Sequence, residues 1–241
     1  MTYRYTIAFP VAPGKTDADA GSIAAYFKAN MDQYRESRMR LGTTLERVYL
    51  QPTPMGSMVI VYVETEHGFG DWVQTILASD LDIDRRFIAM VADVHGADLR
   101  QPPAGPPPET IGEWVDTAVT TRRKGLAFVA PLLPGTDDAG RAFAHEAFVT
   151  RQADLAESRR AIEQNVEVVT LNVTPMGSFI CAYLEGIDPV EGNRRFAAST
   201  RPYDVWFKDQ LATLFPPQID FSQPLPPIEP LFDYVAELAP V

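Results

Sequence analysis

Thr-Pro-Met-Gly-Ser occupies residues 53–57 and occurs again at residues 174–178, 121 positions further along the chain. The same offset relates four other landmarks of the first copy to the second: Pro13-Gly14 to Pro134-Gly135, Glu36-Ser37-Arg38 to Glu157-Ser158-Arg159, Tyr62 to Tyr183, and Glu64 to Glu185. Because separated landmarks share one offset, the chain contains one module twice. Positions shared by two copies are first those that folding requires, so the repeat predicts architecture better than chemistry.

The composition is that of an ordinary globular protein. Its 241 residues are 46% hydrophobic, which suits two modules of roughly 115 residues each. The net charge of −11, with no cluster of basic side chains, argues against a nucleic-acid partner. The chain has neither a signal-peptide pattern nor a long apolar run, so no membrane partner is predicted. Cys181 is the only cysteine, which excludes an internal disulfide and is compatible with a reducing compartment. Together these features predict a soluble cytoplasmic protein.

Both copies predict the element order βαββαβ. Each begins with a short apolar strand, followed by a Pro-Gly turn and a long helix that an aspartate, Asp17 or Asp137, is suited to cap. Two strands joined by Thr-Pro-Met-Gly-Ser follow, because proline and glycine at these positions favour a hairpin turn. A second helical region and a closing strand complete each copy. The predicted ranges are 5–9, 17–41, 45–52, 58–64, 70–94 and 111–115, and then 126–130, 137–162, 166–173, 179–185, 189–214 and 231–235.

The prolines at 102–108 bear on the domain boundary. Such a run is typical of an extended interdomain linker. The second copy has a similar run at 224–230, which indicates instead that the prolines belong within each module. We therefore predict module 1 at 1–116, a joint at 117–122 and module 2 at 123–241.

The order βαββαβ predicts an α+β fold of two tandem ferredoxin-like modules. Both faces of strand 58–64 are largely apolar, which favours two stacked sheets. In these respects the chain resembles the dimeric α/β-barrel superfamily in its two-module form, where one polypeptide supplies both halves as a pseudo-dimer. It is also similar to uncharacterised bacterial proteins that share the Thr-Pro-Met-Gly hairpin and an Asp-x-x-Phe helix, here Asp84 to Phe87 and Asp204 to Phe207. This resemblance implies no activity.

The first helix of the second copy carries the candidate site. In the first copy, an apolar stripe that includes Ala24 and Met31 is interrupted by Arg38. The second copy has His145, Gln152 and Arg159 at the matching positions, and polar groups on a packing face usually serve a pocket or a hydrogen-bond network. We predict that these three side chains and the hydroxyl of Tyr183 line a ligand-binding cavity in module 2, while the corresponding region of module 1 is filled.

Structural interpretations of these residues remain open. Helix rotation would leave His145 and Gln152 at the solvent edge. Arg38 and Arg159 can anchor ion pairs with Glu64 and Glu185, and tyrosines such as Tyr183 commonly pack within strands. His95-Gly96 can supply an acid, a base or a ligand-binding group, but we interpret it as a helix stop. The spacing of histidine, cysteine and carboxylate residues fits no metal site, and no glycine-rich phosphate loop is present, so no cofactor is predicted.

Three functions are compatible with the sequence. The first is a small-molecule-binding protein with its cavity in the second module. The second is an enzyme of the superfamily type, either a cofactor-free oxygenase or isomerase using Arg159, His145 and Tyr183, or a haem protein. The third is an assembly protein without a cavity. A homo-oligomer is compatible with all three.

Overall fold

The computed structural model describes residues 1–236. The first copy contains β1 (Tyr3–Pro10), α1 (Asp17–Ala29), α2 (Met31–Arg40), β2 (Thr43–Gln51), β3 (Met58–Thr65), α3 (Phe69–Leu77), α4 (Asp82–His95) and β4 (Glu109–Val115). The second contains β5 (Lys124–Pro131), α5 (Asp137–His145), a π-helical turn (Glu146–Thr150), α6 (Gln152–Ala161), β6 (Gln164–Thr174), β7 (Gly177–Gly186), α7 (Pro189–Ala198), α8 (Pro202–Leu214) and β8 (Glu229–Val235). The predicted order βαββαβ is confirmed, with each helical region divided into shorter helices.

The turns around the first helix and the hairpin follow local hydrogen-bond chemistry. Thr16, rather than the predicted Asp17, caps α1, because its hydroxyl accepts from the amide of Asp19 and its own amide donates to the Asp19 carboxylate at 2.8 Å. In the two hairpins, Thr53 and Thr174 each donate a hydroxyl hydrogen bond to the carbonyl three residues on. The Thr-Pro-Met-Gly-Ser segments therefore adopt the same backbone setting in both copies.

The fold is α+β and contains two four-stranded antiparallel sheets. Their strand orders are β1-β3-β2-β8 and β4-β6-β7-β5. Each closing strand therefore pairs with the hairpin of the other sequence copy. Arg47 on β2 and Asp233 on β8 reinforce one of these pairings with an ion pair of 3.0 Å.

The exchange of closing strands divides the chain differently from the predicted modules. Unit 1 comprises residues 1–108 with 228–236, and unit 2 comprises residues 109–227. Residues 109–116, predicted in module 1, belong to unit 2, and the predicted joint at 117–122 lies within unit 2 between β4 and β5. The proline runs lead into the two exchanged strands, as suits segments that are extended and donate few backbone hydrogen bonds.

Each closing strand packs against the first helix of the sheet it joins. Phe232 on β8 is buried, with ring centroids 5.8 Å from Phe27 and 4.9 Å from Tyr34. The corresponding residue of β4 is Gly112, where a Cβ atom would lie 2.7 Å from the ring of Phe148. Glycine is required there because the Phe148 ring occupies that space. Within residues 1–236, no helix has the length and apolarity needed to cross a membrane.

Replacing Phe232 by alanine tests the strand exchange. The lost burial is expected to destabilise unit 1 by about 3–5 kcal/mol. Hydrogen exchange read by mass spectrometry should then accelerate in β2, which pairs with β8, and should stay unchanged in β6. Faster exchange in β6 and β7 alone would contradict the exchanged pairing.

Candidate functional site

Unit 2 contains a cavity of ≈ 80 Å³ between its helices and the inner face of its sheet. The sheet contributes apolar side chains such as Phe128, Val169 and Ala182, and the helices contribute aromatic rings such as Phe148 and Phe207. The polar groups on the wall belong to Arg159, Gln164, Glu167 and Asn193. The cavity is thus an apolar space with polar groups on part of its wall.

Arg159 and Glu167 form a buried ion pair at this cavity. Arg159 on α6 is 3% exposed and Glu167 on β6 is 5% exposed. Nε of Arg159 donates to one carboxylate oxygen in a short hydrogen bond, and Nη2 donates to the other at 3.3 Å. Burial acts to lower the pKa of Arg159, but attraction to Glu167 and the hydrogen bond between them leave that pKa raised. The guanidinium therefore stays charged.

Two serines and an aspartate extend this pair into a network. Nη1 of Arg159 donates to the hydroxyl of Ser158 at 3.0 Å, and Ser158 donates to the Asp204 carboxylate on α8. Ser199 donates to the other oxygen of Asp204. The network joins α6, β6 and α8, and it satisfies the buried polar groups that it contains.

Unit 1 repeats the network with equivalent residues. Nε of Arg38 donates to Glu46 at 2.6 Å, and Nη1 donates to Ser37 at 2.9 Å. Ser37 donates to Asp84 at 2.6 Å, and Ser79 donates to the same carboxylate. The predicted ion pairs of Arg38 with Glu64 and Arg159 with Glu185 are wrong, because the arginines pair with carboxylates on β2 and β6 instead.

The structure brings only one of the four predicted ligand-binding residues to the cavity. Arg159 lines it, whereas His145 and Gln152 are exposed. Tyr183 is buried and donates to Glu185 at 2.8 Å, but its neighbours Ala182 and Leu184 line the cavity, so its side chain lies on the opposite face of β7. The four residues therefore do not share one site.

The π-helical turn explains the altered position of His145. The predicted stripe assumed an uninterrupted α-helix over 137–162, but the turn at Glu146–Thr150 accommodates one extra residue. Upstream of it the buried positions shift by one residue, so Ala144 packs inward in place of His145. Gln152 begins α6 immediately after Arg151, which has non-helical backbone angles.

Unit 1 contains an equivalent cavity of ≈ 70 Å³. The expectation that this region is filled in the first copy is therefore wrong. Aromatic rings line it, including those of Phe27 and Trp72, together with three polar residues, Tyr5, Glu46 and His95. Gly96 ends α4 with a φ of 65°, which confirms the helix stop, yet His95 also lines the cavity.

The sequence contained signals for the missed residues. Glu46 and Glu167 are related by the repeat offset, and each follows its arginine by eight positions. Asp84 and Asp204 lie in the Asp-x-x-Phe segments. Among residues 1–236, no cluster of three or more histidine, cysteine or carboxylate side chains could hold a metal ion.

The sequence has no match among protein-family models and no significant match among curated proteins. Solved structures do share its fold. A candidate monooxygenase from Fusobacterium nucleatum subsp. nucleatum ATCC 25586 aligns with 100% of this chain and 97% of its own, at 8% identity and a TM-score of 0.54. An anthrone oxidase-like protein aligns with 98% of this chain and 93% of its own, at 10% identity and a TM-score of 0.50. A candidate monooxygenase from Lactobacillus acidophilus NCFM aligns with 100% of this chain and 98% of its own, at 10% identity and a TM-score of 0.50. At these identities the likeness establishes the fold alone, which is α+β with two similar modules, each based on a four-stranded antiparallel sheet.

Breaking one buried ion pair should destabilise unit 2. Glu167→Gln leaves the charge of Arg159 uncompensated, and we expect a loss of about 3–5 kcal/mol in the free energy of unfolding. The double variant Arg159→Met with Glu167→Leu should recover most of that loss. Urea denaturation measures the free energy of unfolding of both variants. Asp154→Asn is the control, because Asp154 forms an exposed ion pair with Arg151. Equal losses for the control and Glu167→Gln would contradict a buried pair.

His95 should make stability depend on pH. Burial lowers the pKa of His95 from its usual 6.5, and a hydrogen bond with the Pro10 carbonyl opposes this in part. Between the folded and unfolded pKa values the unfolded state binds more protons, so the free energy of unfolding should fall as pH falls below about 6.5. Urea midpoints at about pH 7.5 and pH 5 should show a steeper acid loss for the unsubstituted protein than for His95→Phe. If the urea midpoint fell equally in the two proteins, this would contradict a lowered pKa of His95 in the folded state.

Proposed function

We propose that this protein binds a small, largely apolar molecule with an oxygen acceptor in the cavity of unit 2. The observation that carries the proposal is an apolar cavity of ≈ 80 Å³ bordered by the charged guanidinium of Arg159. Convergence of a few polar groups on an apolar cavity is the usual composition of a small-molecule site. The earlier prediction for this module is retained for Arg159 and not for His145, Gln152 or Tyr183.

The polar groups favour a neutral or anionic oxygen on the ligand. Arg159 has five N–H donors, and its bonds to Glu167 and Ser158 use three of them. Asn193 accepts from the amide of Leu225 at 3.0 Å, and its NH₂ group has no hydrogen-bond partner among residues 1–236. Both side chains therefore have N–H donors for a carbonyl oxygen.

The volume favours a compact ligand. An apolar cavity of about 150 Å³ holds benzene, so a site of ≈ 80 Å³ suits a smaller molecule unless its wall moves. Phe221 supports such movement, because it lies on the segment after α8 and its ring is half-buried beside Phe128 and Phe215. The same volume argues against a haem macrocycle.

The enzyme alternative is a cofactor-free oxygenase or isomerase. Its support comes from the descriptions of the structural neighbours as candidate monooxygenases and an anthrone oxidase-like protein. The proton-transfer role first assigned to His145 and Tyr183 lacks support, because one is exposed and the other faces away from the cavity. We therefore favour ligand binding as the function of unit 2.

Binding of neutral ketones of increasing size, from acetone to acetophenone, tests the proposal. Ligand-observed NMR should detect binding of the smaller ketones. Ala182→Leu, which adds volume inside the cavity, should weaken that binding about tenfold or more, equivalent to about 1.4 kcal/mol. Ala153→Leu makes the same chemical change on the exposed face of α6 and should leave binding unchanged. Equal ketone binding by the two variants would overturn the proposal.

A further inference from the structure

His95 presents a hydrogen-bond acceptor to the cavity of unit 1. Its Nδ1 lies 2.9 Å from the carbonyl oxygen of Pro10. Because a carbonyl only accepts, Nδ1 must carry the proton, and in the neutral ring Nε2 is then an acceptor. No residue within 1–236 forms a hydrogen bond with Nε2, and burial, by lowering the pKa, favours the neutral ring. The turn at Gly96 and the Pro10 contact hold the imidazole in place.

Tyr5 supplies a second polar group to the same cavity. It is 4% exposed, and its buried hydroxyl has no hydrogen-bond partner among residues 1–236. An unpaired buried hydroxyl is unfavourable by about 1–3 kcal/mol, so it marks a place that a ligand atom can occupy. Tyr5 and Phe9 face inward on β1, and Phe9 lies beside His95 with ring centroids 5.7 Å apart. The two polar groups therefore lie toward opposite ends of the cavity.

The remaining wall favours a neutral aromatic ligand. Glu46 is compensated by Arg38 at 2.6 Å, so the cavity carries no unpaired charge among the described residues that line it. Phe27, Phe69 and Trp72 provide ring faces and edges. Aromatic surroundings with isolated hydrogen-bonding groups are suited to an aromatic ring with a hydroxyl group.

Unit 2 provides the internal comparison. The offset of 121 places Leu126 at the position of Tyr5. The Asp-x-x-Phe segments are related by an offset of 120, which places Phe215 at the position of His95, and Phe215 lines the cavity of unit 2. The equivalent cavity thus lacks both the hydroxyl and the imidazole. The polar groups of the two cavities therefore differ, which indicates that the two cavities select different ligands.

We infer that the cavity of unit 1 is a separate binding site for a small neutral phenol, whose O–H group donates to Nε2 of His95. Phenol is larger than a cavity of ≈ 70 Å³, so its entry requires the half-buried rings of Phe9 and Phe69 to move outward. Tyr5 offers its hydroxyl to a second oxygen atom of a substituted phenol. This site is independent of the ketone-binding site proposed for unit 2.

Binding of phenol and methoxybenzene to the full chain tests this inference. Methoxybenzene has the same ring and lacks the O–H donor, so isothermal titration calorimetry should show phenol binding about tenfold or more tightly. His95→Phe, which introduces the residue of unit 2, should abolish this preference. Ala182→Leu should leave it unchanged, which separates this site from that of unit 2.

Two further measurements keep the test decisive if His95→Phe folds poorly. The ¹⁵N resonance of Nε2 in the unsubstituted protein should shift when phenol is added, and Val61→Phe should block phenol binding by occupying the cavity. Equal affinity for phenol and methoxybenzene, an unmoved Nε2 resonance, or loss of phenol binding in Ala182→Leu would each overturn the inference.

Discussion

The contact between a buried arginine and a buried glutamate is the constraint on which each unit depends. Arg38 and Glu46 in unit 1, and Arg159 and Glu167 in unit 2, join the first helical region to the sheet. A serine beside each arginine connects it to an aspartate on the second helical region. Because an unpaired buried charge is strongly unfavourable, these bonds fix where both helices lie over the sheet. An apolar cavity lies beside the ion pair in each unit.

Much of this architecture could be predicted because the sequence contains the same module twice. The hairpin turn depends on local chemistry, so Thr53 and Thr174 form the same hydrogen bonds in both copies. The exchange of closing strands could not be predicted from local sequence patterns. The alternation in β4 and β8 shows that each strand has a buried face, but it does not show which sheet that face joins. That choice depends on long-range packing, such as Phe232 against Phe27 and Gly112 beneath Phe148.

The sequence predicted the position of Arg159 at the cavity, but it did not predict the exposed position of His145. Helical periodicity predicts the direction of a side chain only while the helix stays regular. The π-helical turn shifts the buried positions of α5 by one residue, so Ala144 is buried in place of His145. Buried carboxylates on strands escape a search along helix stripes, although Glu46 and Glu167 share the repeat offset. His95 was predicted correctly as a helix stop. Its place in the cavity follows from the contact with Pro10, which is remote in sequence.

The value of the duplication lies in what the two cavities do not share. Both retain the ion pair, the inward phenylalanine of the first helix, and the apolar face of the central strands. Folding explains the retention of these groups, since both units need them. Folding does not explain an unpaired hydroxyl at Tyr5, because Leu126 satisfies the same position without leaving a buried polar atom unpaired. A ligand oxygen would satisfy this hydroxyl, which lowers stability where an apolar residue suffices, so the strongest argument for a ligand rests on the difference between the two units.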